Sequence, residues 1–204
     1  MRIIEDKALL LKLRNPNRVT KTVPKSKAVR DNEVLVNWGI DEMHALHALN
    51  IDVPSPIHGQ YTWTGKYDPF AHQKKTAAFL TMNKKSFCFN EQGTGKTASA
   101  IWATDYLMKQ GKIKRALVIC PLSIMDSAWR EDLFTFAPHR TVDIAHGVSK
   151  KRKAIIEQGA DFVIINYDGV EIVSEEIAKG GFDLIIVDEA THYKNAQSKR
   201  WKIL

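Results

Sequence analysis

The chain has 204 residues, 44% hydrophobic and 26% charged, which fits one full globular domain with room for a smaller one and excludes general disorder. No stretch approaches 18 consecutive apolar residues, and the opening apolar run is broken by Glu5, Asp6 and Lys7, so neither a membrane span nor a secretory leader is expected and a cytoplasmic protein is. Thirty Lys and Arg against 23 Asp and Glu leave a formal charge of +7, which suits a polyanionic partner without naming one.

Residues 7–30 carry eight basic side chains (Lys7, Lys12, Arg14, Arg18, Lys21, Lys25, Lys27 and Arg30) and no acidic one. They are threaded through strand-like runs at 8–13 and 33–38, which predicts a small basic α+β domain over residues 1–60. Asp41 can cap a short helix running to Asn50, with Met43, Leu46 and Leu49 spaced by three. His44 and His47 share a face of that helix with only Glu42 near them, too little for a metal centre. Two prolines and a glycine in residues 52–59 exclude helix there and predict a linker, with the domain join at 52–66.

Beyond it, residues 61–204 read as strands alternating with helices. Strands are expected at 87–90, 115–120, 141–145, 162–166 and 184–187. Helices are expected at 96–109, at 123–136 with Trp129 and Leu133 four apart, at 149–158, and near 171–178. Strands apolar on both faces, separated by helices, predict an α/β fold with a parallel sheet covered by helices. Cys88 and Cys120 each fall in such a strand, which predicts two reduced core thiols and no disulfide. Lys150, Lys151, Arg152 and Lys153 read as a solvated helix face.

Asn90-Glu-Gln-Gly-Thr-Gly-Lys-Thr97 lies between an expected strand and an expected helix, the context a phosphate-binding loop requires. Gly93 and Gly95 let the backbone curl so that the N–H groups from Gln92 to Thr97 converge, and the helix that follows adds its positive end. Lys96 would neutralise β and γ phosphate oxygens, and the Thr97 hydroxyl would meet a bridging magnesium ion. Asn90 stands where the usual pattern has glycine. Further on, Asp188 and Glu189 follow an apolar strand directly, at the end of a parallel strand where such enzymes place their chemistry. Asp188 would hold magnesium through its water shell, and Glu189 would orient or deprotonate the water that attacks the γ-phosphate.

Together these segments resemble the superfamily-two helicases and translocases, and among them the Swi/Snf-like DNA-dependent ATPases. The loop looks like that family's Asp-Glu-x-Gly-x-Gly-Lys-Thr, and Asp188-Glu-Ala-Thr-His-Tyr-Lys-Asn195 looks like its DEAD/DEAH-type Asp-Glu-Ala-His-x-x-Lys-Asn box. Val118-Ile-Cys-Pro-Leu-Ser123 with Trp129-Arg-Glu131 is similar to its Pro-Leu-Ser…Trp…Glu segment, and Ile164-Ile-Asn-Tyr-Asp168 to its Thr-Tyr-Glu segment. The resemblance spans roughly residues 66–204. It implies a RecA-like P-loop NTPase lobe using ATP and Mg2+, with nucleotide contacts from Gln92, Gly93, Thr94, Gly95, Lys96 and Thr97 and an adenine-reading glutamine at Gln73. It also implies DNA contacts at Ser123, Asn166, Tyr167 and Lys194. Thr191 departs from the histidine or glutamine usual at the position that would couple nucleotide state to DNA.

Two other classes remain open on the residues alone: a phosphate-loop ATPase that does not act on nucleic acid, and a DNA-binding module with a vestigial nucleotide site. The resemblance further implies a second RecA-like lobe supplying an arginine. Residues 201–204 stop on an apolar stripe without a stop signal, so a machine incomplete as it stands is expected. A compact version with a basic arm would suit a bacterial or phage system.

Overall fold

Two patterns of apolar residues build two separate sheets. The computed structural model describes residues 1–189, which fall into two units: Met1–Trp63 with Pro69–Ala103, and Thr64–Asp68 with the chain from Thr104 onward.

In the first unit, β1 (Arg2–Ile4), β2 (Ala8–Lys12), α1 (Pro16–Thr22), β3 (Ser26–Arg30) and β4 (Glu33–Asn37) follow one another, and the strands form an antiparallel sheet in the order β1-β2-β4-β3. Leu9, Leu11, Val34 and Val36 alternate inward and pack with Trp38, Met43 and Leu46, leaving the other face half open, as a period of two dictates. α2 (Ile40–Ala48) starts from Gly39, whose carbonyl accepts from Met43 N at 3.0 Å. Asp41 therefore sits in the first turn, where it meets the positive helix end, instead of capping the helix.

The proline-rich stretch is not a free linker. Val53, Ile57 and Tyr61 are buried, the Trp38 indole donates to Pro54 O at 2.9 Å, and Ser55 and Thr81 hydroxyls bond at 2.8 Å. Pro56 also precedes a short helix, α3 (Ile57–Gln60), because proline's fixed φ suits a helix start. α4 (Ala71–Met82) buries Ala77, Ala78 and Thr81, positions too small or too polar to announce a helix in an apolar pattern. α5 (Lys96–Lys109) has the expected bounds. The strand expected at 87–90 does not form: Phe87 and Phe89 are 72% and 89% exposed and stack on each other with centroids 5.8 Å apart. Cys88, outside any strand, is only half-buried, so Cys120 alone is a core thiol.

In the second unit the chain runs through β5 (Ala116–Cys120), a 3-10 turn (Leu122–Ile124), a π-helical stretch (Met125–Arg130), α6 (Glu131–Phe136), β6 (Val142–Ile144), α7 (Ser149–Glu157), β7 (Phe162–Asn166), α8 (Tyr167–Ile172), α9 (Ser174–Lys179) and β8 (Leu184–Val187). The helix expected at 123–136 is thus three segments, and the one near 171–178 is α8 and α9. The four strands are parallel in the order β6-β7-β5-β8, so the chain crosses from one side of β5 to the other between β7 and β8. Every residue of β5 and β7 is buried. Leu117, Ile119, Val163 and Ile165 pack with Ile156 of α7 and Val170 of α8, each large side chain contributing about 1.5–3 kcal/mol.

Two buried charges brace this unit. Asp105 has no exposed surface; it accepts from His139 Nε2 (2.8 Å) and Arg140 Nε (2.7 Å) and pairs with Lys109 Nζ at 2.9 Å. Arg152, expected on a solvated face, is 6% exposed and donates to Gly147 O, Ala145 O and Asn166 Oδ1 at 2.8, 2.6 and 2.9 Å. Its neighbours Lys150 and Lys151 do lie on the surface. Among the described residues, no helix is long and apolar enough to cross a membrane.

Candidate nucleotide and nucleic-acid site

The phosphate loop belongs to the first unit. Gly93 and Gly95 both have φ of +74°, the left-handed region that glycine enters without cost. A Cβ at Gly95 would also lie 2.1 Å from Gln73 Nε2 and push that side chain aside. α5 opens at Lys96, so its first N–H groups have no partners within the helix and are available to an anion. The Lys96 ammonium donates to Asn90 O and Glu91 O, both at 2.9 Å, and Thr94 Oγ1 donates to Glu91 O at 2.7 Å. Asn90, the departure from the usual glycine, ties the loop to α4 through Thr76 Oγ1 at 2.9 Å. Gln92 is exposed and Thr97 half-buried at the helix start.

Gln73 lies against this loop. Its Oε1 accepts from Phe70 N at 2.9 Å, and its Nε2 donates to Thr94 O at 3.4 Å. His72 Nε2 reaches the same carbonyl at 3.1 Å, a contact for which a lone histidine before the glutamine gives no signal. Each end of the Gln73 amide thus makes one bond within the protein, which leaves one N–H and one oxygen lone pair for a further partner.

The acidic pair belongs to the second unit, at the carboxyl ends of its strands. Asp188 and Glu189 follow β8, and Asp188 N donates to Ile119 O of β5 at 2.9 Å. Both Asp188 oxygens are engaged: Oδ1 accepts from Glu189 N at 3.0 Å and Oδ2 from the Trp129 indole at 2.8 Å. Each keeps a lone pair for a metal-bound water. Glu189 is exposed with φ of +54°, a conformation that costs a non-glycine residue about 1–3 kcal/mol unless its surroundings hold it. Tyr167 supplies part of that hold, its hydroxyl donating to Asp188 O and, at 3.3 Å, to Glu189 O. Burial, reinforced by the negative charges of Asp188 and Glu189, pushes the Cys120 thiol up to about 12.

The residues expected to meet DNA divide. Ser123 is exposed in the 3-10 turn after β5, and its carbonyl accepts from Ser127 Oγ at 3.1 Å. Asn166 and Tyr167 are 9% and 6% exposed; Asn166 Oδ1 accepts from Arg152 and the Tyr167 hydroxyl donates to the acidic turn, so in this arrangement both order strand ends. Lys194, with Thr191 and Asn195, lies outside the described residues. Trp129 reads in the sequence as a core stripe with Leu133 and as part of the Pro-Leu-Ser…Trp…Glu segment; its bond to Asp188 goes unseen there, because an indole N–H leaves no mark in a pattern. His44 and His47 do not converge with a third ligand among the described residues.

Seven of the eight basic side chains in residues 7–30 have no carboxylate partner among the described residues; Arg30 faces Glu33 at 3.8 Å. All eight are exposed. Lys7, Lys25 and Lys27 surround an open depression of about 470 Å³ with Ala8, Ser26, Leu35 and Asn37.

A parallel sheet with an acidic pair beyond its strand ends, and a glycine loop leading into a helix, define an α/β nucleotide-binding class of protein. The SNF2-related domain model matches residues 72–204, and the chain belongs to that family. It is 30% identical over 115 residues to the putative ATP-dependent helicase/translocase YwqA of Bacillus subtilis, covering 54% of this chain and 12% of that protein. It is 30% identical over 139 residues to the ISWI chromatin-remodeling complex ATPase ISW2 of Saccharomyces cerevisiae, covering 65% and 12%. The Sulfolobus solfataricus SWI2/SNF2 ATPase core solved in complex with dsDNA superposes with a TM-score of 0.58 at 28% identity, covering 70% of this chain and 30% of that one. The chain therefore spans only about an eighth of the length of these two curated relatives.

Proposed function

We propose that the chain is the ATP-binding lobe of a Swi/Snf-like DNA translocase or helicase, in which ATP hydrolysis drives movement on duplex DNA. The observation that carries this reading is the acidic pair at the carboxyl end of β8, its carboxylate oriented by Trp129, in a chain of the SNF2-related family that also holds the loop of residues 90–97. Lys96 and the N–H groups of residues 92–97 bind the phosphates, Gln73 reads the adenine, and Glu189 orients and deprotonates the attacking water. The Thr97 hydroxyl and Asp188 carboxylate are hard oxygen donors of the kind magnesium takes, and a bound Mg2+ would screen charge on the β and γ phosphates. Ser123 and Lys194 meet DNA phosphates, and the basic residues of 7–30 extend that contact.

In this reading residues 1–60 are a basic accessory domain, residues 61–204 the lobe, and a second RecA-like lobe supplies the arginine that completes the site. A cytoplasmic protein of a bacterium or its phage belongs to the same reading, and Bacillus subtilis supplies one of the relatives. Steady-state ATP hydrolysis with and without duplex DNA, compared among the native protein, Lys96→Ala and Glu189→Gln, tests it. Lys96→Ala is expected to lose nucleotide affinity, whereas Glu189→Gln keeps affinity and loses turnover by about 10²–10⁴-fold. DNA-independent turnover would favour an ATPase that does not act on nucleic acid, and unchanged nucleotide affinity in Lys96→Ala would overturn the assignment.

A further inference from the structure

Two of the side chains that hold the acidic turn come from the segments that leave the carboxyl ends of β5 and β7. Trp129 lies in the π-helical stretch that follows the Leu122–Ile124 turn, and Ser127 Oγ ties that stretch back to Ser123 O at 3.1 Å. Its ring is 2% exposed, yet its one polar atom is spent on Asp188 Oδ2 at 2.8 Å. Tyr167 opens α8 directly after Asn166, which Arg152 anchors at 2.9 Å, and it bonds the carbonyls of both Asp188 and Glu189. A π-helical stretch inside helical structure is frequently a functional feature, and a hydrogen bond of this kind weakens steeply when its geometry shifts.

We propose that Trp129 is a positioning residue through which nucleic-acid contact at the exposed Ser123 turn controls the aim of the Asp188 carboxylate, with Tyr167 holding the adjoining backbone. A DNA phosphate bound at Ser123 shifts the 3-10 turn. The shift passes along the π-helical stretch to Trp129, and the indole N–H, bonded to Asp188 Oδ2, sets the orientation of a carboxylate that would hold a magnesium ion through its water. Tyr167 keeps the left-handed Glu189 turn from relaxing while this happens. The proposal deepens the translocase reading and rests on it.

The test uses Trp129→Phe and Tyr167→Phe in the full-length protein: both keep a buried aromatic ring, Tyr167→Phe removing only the hydroxyl and Trp129→Phe the indole N–H together with part of the ring. Four quantities are measured: ATP affinity without metal, Mn2+ affinity of the nucleotide complex by electron paramagnetic resonance, duplex affinity by anisotropy, and turnover with and without duplex. For Trp129→Phe, metal-free ATP affinity and duplex affinity are expected to stay within about twofold. Mn2+ affinity and the ratio of DNA-stimulated to basal turnover should each fall about tenfold, the worth of one charge-assisted hydrogen bond. Tyr167→Phe should lower kcat with KM for ATP unchanged.

A purely structural tryptophan would lower stimulated and basal turnover in the same proportion, and an unchanged stimulation ratio in Trp129→Phe overturns the proposal. Native turnover that does not depend on Lys96 would instead overturn the underlying translocase reading, and the proposal with it.

Discussion

The antiparallel sheet of the first unit and the parallel sheet of the second solve the same burial problem in opposite ways. β2 and β4 alternate buried and half-exposed residues, so one face carries Leu9, Leu11, Val34 and Val36 into a core. The other face pairs Leu10 with Leu35 and Lys12 with Glu33, and Lys27 of β3 lies opposite Leu35. β5 and β7 are buried along their whole length. A sheet covered on both sides has nothing left to offer at its faces, so its chemistry moves to its carboxyl edge, where Ser123, Asn166, Tyr167, Asp188 and Glu189 gather. A sheet open on one side can carry charge on that side, and the eight exposed cations of residues 7–30 lie on its strands, its turns or the helix α1 between them.

The contrast can be broken most severely through the charge buried in the second unit. Asp105→Asn strips the carboxylate from Lys109, His139 and Arg140. It should destabilise by about 3 kcal/mol, because three charge-assisted bonds to a carboxylate with no exposed surface are weakened together while the partly exposed cations turn to water; urea unfolding measures it.

A matched pair of truncations sharpens the comparison next. Ile164→Ala, at a site with no exposed surface, should cost about 2–5 kcal/mol, while Leu35→Ala on the half-open face of β4 should cost about 1 kcal/mol or less. Equal losses in urea unfolding would mean that the outer face of the antiparallel sheet is covered in solution.

Replacing Lys7, Lys25 and Lys27 with glutamine should leave stability within about 0.5 kcal/mol. It should also flatten the salt dependence of duplex binding by about 0.9 in slope for each phosphate that is no longer neutralised. An unchanged slope would remove the basic face from the DNA interface.

The smallest effect concerns Cys120. Its thiol is held neutral, with the folded value raised to about 12 from an ordinary 9.0. The folded state thus keeps a proton that the unfolded state releases, and the stability this contributes is complete below about pH 9 and lost as pH rises toward 12. Alkylation at pH 8 should modify half-buried Cys88 and spare Cys120, and Cys120→Ala should flatten the decline of stability between about pH 9 and 11.

Much of this protein was legible in local pattern. The strands at 162–166 and 184–187 and the helix at 96–109 have the bounds their apolar pattern predicts, since a continuous apolar run and helical spacing are properties of neighbouring residues. The glycines of the phosphate loop and the carboxylates after β8 were legible for the same reason: each is a short motif whose chemistry follows from its own residues.

What local pattern could not carry was which polar atom meets which. Phe87 and Phe89 read as a strand, but a strand needs a partner to take its N–H and C=O groups, and partnership is a long-range fact. Arg152 reads as one cation in a run of four, but three acceptors from Ala145, Gly147 and Asn166 draw it inward. Trp129 reads as core and is core, yet its indole reaches Asp188 across 59 residues of sequence. Sequence by itself determined the apolar periods, the loop and the acidic pair, because those depend on neighbours along the chain. Only the tertiary structure decided how the acidic pair is held and which cation is drawn inward, because a directional bond between distant residues exists only once both ends have been brought within about 3 Å.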